Sequence, residues 1–287
     1  MSHVLFSSPA AHPRVTRFAA LLLPLLLVAG VIGTGSVTGT ASAGQIEAAN
    51  DSTRDSAIKF VQTDKGQVTT ITNPRRRGQR AFKFLLPNGN PARAELEMKR
   101  RPRIGDTNWY GWSFRIDSTW PNNSRGIVTQ FACYPTNKDF WNKGAAGVGS
   151  YIIIGPARNN ANYGAPNRVT FVLQHQGDRD GIRVTTFDLG PVSYFKNRWV
   201  DIVMKVRWTG NSNGFLELWQ RPRGWRNYTR KINYRGTTFW NDEGVAPYFK
   251  CGLYGRSTDL GVYGARRVFF DAYEHHGASS GFWDVAP

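Results

Sequence analysis

Trp199-Val200-Asp201-Ile202-Val203-Met204-Lys205-Val206-Arg207-Trp208 decides the fold class of this chain. Val200, Ile202, Met204, Val206 and Trp208 occupy every second position, with Asp201, Lys205 and Arg207 between them. A period of two marks a strand with one face on a core, because successive side chains of an extended chain point to opposite sides. Outward from it, residues 215–220, 183–189, 168–175, 126–134 and the aromatic run 109–116 read as short strands cut by Gly, Pro and Asn clusters. Residues 82–85 end at a Pro87-Asn88-Gly89-Asn90 turn, and residues 248–254 and 262–273 complete the set. No stretch keeps a helical apolar period for three turns. Ten tryptophans and seventeen phenylalanines supply large core volume. The chain therefore reads as all-β: a sandwich of two curved antiparallel sheets of jelly-roll type, whose concave sheet lines a groove fitted to a linear polymer.

The N-terminal region reads differently. Arg14 and Arg17 precede an apolar run over residues 18–32, and small residues then lead to Ala41-Ser42-Ala43. This is the layout of a secretory signal peptide over residues 1–43; an uncleaved anchor is the competing reading. No later segment is apolar enough to span a membrane. Residues 44–287 are expected to form one exported domain that stays off the membrane and acts as a monomer. The chain carries a net charge of +17, so its field concentrates polyanions. Export argues against nucleic acid and leaves acidic polysaccharide as the expected partner. Arg75-Arg76-Arg77 reads as a solvated loop. The two cysteines, Cys133 and Cys251, make neither a disulfide scaffold nor a zinc pattern. Their parity points both into the core, where they are either bridged or buried thiols.

Three of the strand-like segments place polar residues on one face: Arg93-Ala94-Glu95-Leu96-Glu97, Thr129-Gln130-Phe131-Ala132 and Tyr248-Phe249-Lys250-Cys251-Gly252-Leu253-Tyr254. Arg93 can grip a carboxylate in bidentate fashion, and Glu95, two residues on, can orient it. The competing reading is an ion pair on a solvated sheet. Gln130, with Val128 and Ala132 expected on its face, can donate its amide to a carboxylate or be a satisfied core glutamine. Tyr248, Lys250, Gly252 and Tyr254 share a face, and Gly252 removes bulk where something approaches closely. Lys250 and Arg93 would place positive charge beside the Tyr254 hydroxyl. An aromatic ladder is the alternative use of the two tyrosines. Together the set suits elimination chemistry on an acidic sugar.

The R-x-E-L pattern at Arg93, the Gln130-Phe131 strand and the Y-F-K-x-G-x-Y strand at residues 248–254, in this order, resemble the jelly-roll polysaccharide lyases. The similarity is to the glucuronan lyase and heparin lyase I group, with the alginate lyases more distant. Trp109-Tyr110-Gly111-Trp112-Ser113-Phe114, Trp199-Val200-Asp201 leading to Lys205-Val206-Arg207-Trp208, and Val268-Phe269-Phe270-Asp271 extend it over residues 75–273. The resemblance implies a concanavalin-like jelly roll and β-elimination on a uronic-acid polymer. By position, Arg93 and Gln130 would bind the substrate carboxylate, Tyr254 would move the proton and Lys250 would assist electrostatically. Glu95, Tyr248, His175, Lys205 and Arg207 are the candidates for holding the polymer.

One position departs from the pattern. Many relatives carry histidine two residues after the glutamine; here Ala132 stands there. Tyr254 then performs both proton transfers, or His175 enters the groove, or the groove binds sugar without cleaving it. That last reading, a non-catalytic carbohydrate-binding jelly roll, is the runner-up. A glycoside hydrolase ranks last, because Glu95 and Glu97 are adjacent on one face rather than flanking a bond. Elimination requires no cofactor, though Asn241-Asp242 could offer oxygen ligands to calcium as in some relatives, a plain turn being the simpler account.

Overall fold

The structure, a computed structural model, describes residues 58–88, 93–133, 148–156, 164–176, 182–239, 247–255 and 264–287. Fourteen strands run in order: β1 (Ile58–Asp64), β2 (Gln67–Ile71), β3 (Ala81–Leu86), β4 (Arg93–Met98), β5 (Thr107–Ile116), β6 (Gly126–Ala132), β7 (Val148–Ile154), β8 (Arg168–Gln176), β9 (Ile182–Pro191), β10 (Val200–Arg207), β11 (Phe215–Pro222), β12 (Thr229–Arg235), β13 (Tyr248–Tyr254) and β14 (Arg266–His276). Two one-turn helices, α1 (Val192–Phe195) and α2 (Phe282–Val285), complete the described elements. The first sheet has the order β1-β4-β13-β6-β7-β8-β9 and the second β12-β11-β10-β5-β14-β3-β2. All the pairings within them are antiparallel. The two last strands, β13 and β14, thus enter near the middle of both sheets. Residues 1–43, where the sequence leads one to expect a signal segment, lie outside the described residues. No helix among the described residues is long and apolar enough to cross a membrane.

The alternation in β10 holds on its apolar side. Val200, Ile202, Met204, Val206 and Trp208 are fully buried between the sheets. Each such side chain is worth roughly 1.5–3 kcal/mol relative to exposure. Rings from both sheets interlock there: Phe131 lies 5.1 Å from Trp208 and Trp112 meets Phe249 edge-on at 5.3 Å. Cys133 and Cys251 both face this core as thiols, with no disulfide between them.

The polar side of β10 differs from a wet face. Asp201 is fully buried, and both of its oxygens accept from Arg76 at 2.8 Å. Arg221 and Ser113 add donors at 2.9 and 2.8 Å. The backbone N–H groups of Arg76 and Arg77 donate to Asp271. A buried carboxylate requires such pairing. The Arg75-Arg76-Arg77 run is therefore in part a structural clasp on the second sheet, not a solvated loop throughout.

Among the described strands, β1, β2, β7 and β12 carry no clear alternating signal in the sequence, each for a physical reason. In β1 a register shift between Ile58 and Phe60 breaks the alternation. In β2 a short threonine-rich run forms the sheet edge. In β7 both faces are covered, Ile152 and Ile154 by the main core and Tyr151 and Ile153 by a second cluster, so the run does not alternate in polarity. In β12 the edge strand is charged, as edges often are.

A bulge in β14 between Asp271 and Glu274, where Ala272 adopts φ 55, re-aims the strand so that Tyr273 and His275 follow Phe270 inward. His275 stacks on Tyr110 at 4.2 Å, and its Nε2 lies 3.0 Å from Asn108 Oδ1. Burial pushes the imidazole down to about 3. Between that value and the ordinary histidine range the unfolded chain binds a proton that the folded chain refuses, so stability falls as pH drops through this window. Unfolding by urea at neutral pH and at about pH 4.5 is expected to show His275 costing the acidified protein about 2–3 kcal/mol. His275→Phe should remove that share of the acid loss; an unaltered pH slope would refute the assignment.

Candidate active site

The three polar segments come together as β4, β13 and β6, neighbours in the first sheet. Their register sets Tyr254 opposite Arg93, Gly252 opposite Glu95, and Lys250 between Glu97 and Gln130. Ala94, Leu96, Phe249, Cys251 and Leu253 point into the core, which turns Arg93, Glu95, Lys250 and Tyr254 to the outer face.

Glu95 is the hub. Its carboxylate is only 2 % exposed. Oε2 pairs with Arg93 Nε at 3.0 Å and accepts from Lys250 Nζ at 2.9 Å, and Oε1 accepts from the Gln130 amide. Burial pushes the Glu95 carboxyl upward from its ordinary value, while Lys250, Arg93 and the Gln130 amide pull against that. Lys250 Nζ also donates to Gln62 Oε1 at 2.6 Å, and Arg93 Nη1 reaches the same oxygen at 3.2 Å. The Arg93 guanidinium lies over the Tyr254 ring, 4.7 Å from its centroid. Beside this pair is an open cleft of about 530 Å³ lined by Val61, Gln62, Thr63, Asp64, Arg93 and Tyr254.

Two backbone irregularities create this layout. Val128 and Phe131, three residues apart, both enter the core, because the register shifts between Ile127 and Thr129. The bulge takes Val128 off the face of Gln130, where simple alternation had placed it. Gly252 has φ +138, and a Cβ there would stand 2.2 Å from the Ala94 carbonyl oxygen. What approaches Gly252 closely is therefore the neighbouring strand.

Lys250 is engaged by Glu95 and Gln62, four residues and roughly 13 Å of strand from Tyr254. The cation next to the tyrosine is Arg93. Tyr248 is buried opposite Ala132, and its ring is covered by the Arg101 guanidinium at 3.5 Å, with Arg101 paired to Glu97.

Three polymer-binding candidates do not join the site. His175 shares the inward parity of Phe171 and Leu173 and faces Tyr234 of the opposite sheet at 5.8 Å. Its ring nitrogens meet Thr237 Oγ1 at 2.8 Å and Thr185 Oγ1 at 3.0 Å. Lys205 and Arg207 lie on the outer face of the second sheet. Lys205 Nζ stands 5.0 Å from the Trp109 ring, and Arg207 Nε donates to the Gly105 carbonyl at 2.8 Å. Conversely, Gln62 and Asp64 escaped the sequence reading with the bulged strand that carries them, and so did Arg101, which follows β4.

Asn241-Asp242, the calcium candidates, lie outside the described residues. Among the described residues no cluster of three or more His, Cys, Asp or Glu side chains could hold a metal ion.

Chemically, the cleft can take an anion onto Arg93 with a phenol beside it. No curated protein sequence matches the chain. Among solved structures, an endo-beta-1,4-glucuronan lyase from the fungus Trichoderma reesei superposes with a TM-score of 0.62 at 19% identity, covering 80% of this chain and 94% of its own. A marine alginate lyase from Aplysia kurodai gives 0.52 at 11% identity, over 77% and 92%. At these identities the likeness is one of fold. The family model described as Polysaccharide lyase matches residues 37–274, most of the chain, and the protein therefore belongs to the polysaccharide lyases and acts on polysaccharides by lysis.

Proposed function

We propose that this lyase cleaves a β-1,4-linked glucuronate- or mannuronate-type polymer by β-elimination, with glucuronan the first substrate to test. The observation that carries the reading is the Arg93 guanidinium, fixed by Glu95 and Gln62 and poised over Tyr254 at the cleft. Arg93 takes the C5 carboxylate of the uronate. The Gln130 amide has a second N–H beyond the one given to Glu95 and directs it to the same group. The Tyr254 phenolic oxygen takes the C5 proton, the electrons of the C5–H bond form the C4–C5 double bond, and the C4–oxygen bond breaks. Tyr254 returns the proton to the leaving oxygen. Negative charge builds on the carboxylate in the transition state, so donors held rigidly there lower the barrier.

The stereochemistry follows from one proton-transfer group. In β-1,4-linked D-glucuronate and D-mannuronate the C5 hydrogen and the C4 oxygen lie on the same side of the ring, within reach of a single tyrosine. In L-guluronate and L-iduronate they lie on opposite sides and need a second group. Ala132 cannot supply one, and the inward orientation of His175 supports this limit. Incubation with glucuronan, polymannuronate, polyguluronate, heparin and hyaluronan, read by the ultraviolet absorbance of the conjugated double bond, tests the reading. Cleavage of polyguluronate alone would overturn it. Binding without the chromophore would favour the carbohydrate-binding alternative. The reaction uses protein groups alone; calcium near Asn241-Asp242 would be an addition to the fold. We further propose that residues 1–43 direct export and that the lyase works as a secreted monomer.

Arg93→Ala should lower turnover by about 10²–10³-fold with a smaller change in Michaelis constant, because its bonds to the carboxylate strengthen as charge develops. A raised Michaelis constant with unchanged turnover would reduce Arg93 to a polymer anchor.

A further inference from the structure

The outer face of the second sheet carries a second cleft with its own chemistry. It measures about 380 Å³ and is lined by Trp219, Arg226, Asn227, Tyr228, Phe282 and Trp283. Its rings form a continuous chain. Trp109 stacks on Trp219 at 6.2 Å, Trp219 meets Phe282 edge-on at 5.4 Å, and Tyr228 meets Phe282 at 4.9 Å and Trp283 at 6.3 Å. The inner members pack on Val203, Val285 and Ala286 and belong to the fold. Trp283 does not: 75% of it is exposed at the rim of the aromatic chain. An apolar ring left in water as part of a contiguous aromatic patch marks a contact surface.

We propose that this cleft is a second, non-catalytic binding site for an acidic polysaccharide. The identity of the polymer as a polyuronate rests on the function proposed above. An indole presents a flat apolar face to the C–H face of a pyranose, Asn227 can bond its hydroxyls, and the exposed Arg226 guanidinium can take its carboxylate. No carboxylate is among the lining residues. Asp284, beside Trp283, accepts the Gly281 N–H at 2.7 Å and so caps its own helix. The charge favours a polyanion over the obvious rival occupant, a second copy of the chain, because two strongly basic chains repel across an arginine-bearing face. The cleft opens from the sheet opposite to the one bearing Glu95. A polymer held there keeps further segments of the same chain at high effective concentration for the Tyr254 cleft.

The test is affinity electrophoresis of the Tyr254→Phe chain, which should leave the polymer intact, through gels containing polyglucuronate or a neutral β-1,4-glucan. Polyglucuronate should retard the protein and the neutral glucan should not. Trp283→Ala and Arg226→Ala, added singly, are each expected to weaken the apparent affinity by about five-fold, while Trp283→Phe retains most of it. Retardation unaltered by both substitutions overturns the proposal. So does a concentration-dependent dimer in sedimentation that Trp283→Ala abolishes, which would make the face a contact between copies. The wild-type absorbance assay keeps the two readings apart. If polyuronate is cleaved but the two variants bind like their parent, only the second site falls. If no chromophore forms yet retardation depends on Trp283 and Arg226, the second site stands and the elimination reading falls.

Discussion

Replacing Tyr254 by phenylalanine is expected to lower turnover on the best polyuronate by about 10²–10⁴-fold, the range that a positioned proton-transfer group supplies. The fold should be unaffected. The ring keeps its face, so its contact with the Arg93 guanidinium at 4.7 Å survives the substitution. Only the hydroxyl is lost, and with it the single group proposed both to take the C5 proton and to return it to the leaving oxygen. Substrate affinity of the variant, measured by equilibrium binding, should stay close to wild type, because the carboxylate contacts remain. Denaturant midpoints should coincide within error. If turnover stays above about a few per cent of wild type, the proton-transfer role lies elsewhere. His175 faces the opposite sheet, so Asp64, in the cleft lining, is then the residue to mutate.

Glu95→Ala should damage both stability and activity. The carboxylate is buried and joins Arg93, Lys250 and Gln130. Removing it leaves the Lys250 ammonium, itself only 4 % exposed, with the Gln62 oxygen in place of a countercharge. Breaking a buried pair from one side typically costs about 3–5 kcal/mol, more than keeping or replacing both partners. Arg93 and Gln130 also lose the anchor that aims them, and a misplacement of about 1 Å can cost 10²-fold in rate. Glu95→Gln keeps the shape and an acceptor oxygen without the charge, so it should fall between Ala and wild type in both measurements. A stability loss below about 1 kcal/mol for Glu95→Ala, read from urea unfolding, would show that the network contributes far less than its burial suggests.

The sequence made the fold class legible because β10 and its neighbours have one buried face, and a period of two survives wherever that holds. It failed where both faces are covered, as in β7, and where a bulge interrupts the period, as in β1. The site was legible in part for the same reason. Arg93, Glu95, Lys250 and Tyr254 fall on one face by parity alone. The role of Glu95 as their hub was not visible, because diagonal contacts across β4, β13 and β6 depend on register, and register is set by the bulges at Val128 and Gly252. Lys205, Arg207 and His175 were misplaced because parity says which face of a strand a residue takes but not which sheet the strand joins, nor whether that face looks inward.

The central position of β13 and β14 has a consequence for how the molecule is made. Without them the first sheet falls into β1-β4 and β6 to β9, and the second into β2-β3 and β5, β10, β11 and β12. A ribosome that has not yet translated Tyr248 holds β1–β4 and β5–β12 as two groups with no strand pairing between them, each with open strand edges where β13 and β14 belong. Limited proteolysis of such arrested chains reads this state out directly. The proposed reacting groups straddle the same seam: Arg93 comes from the early group, Gln130 from the later one and Tyr254 from the strand that joins them. Elimination would therefore begin only after the strand that carries Tyr254 has been translated and has joined the two groups.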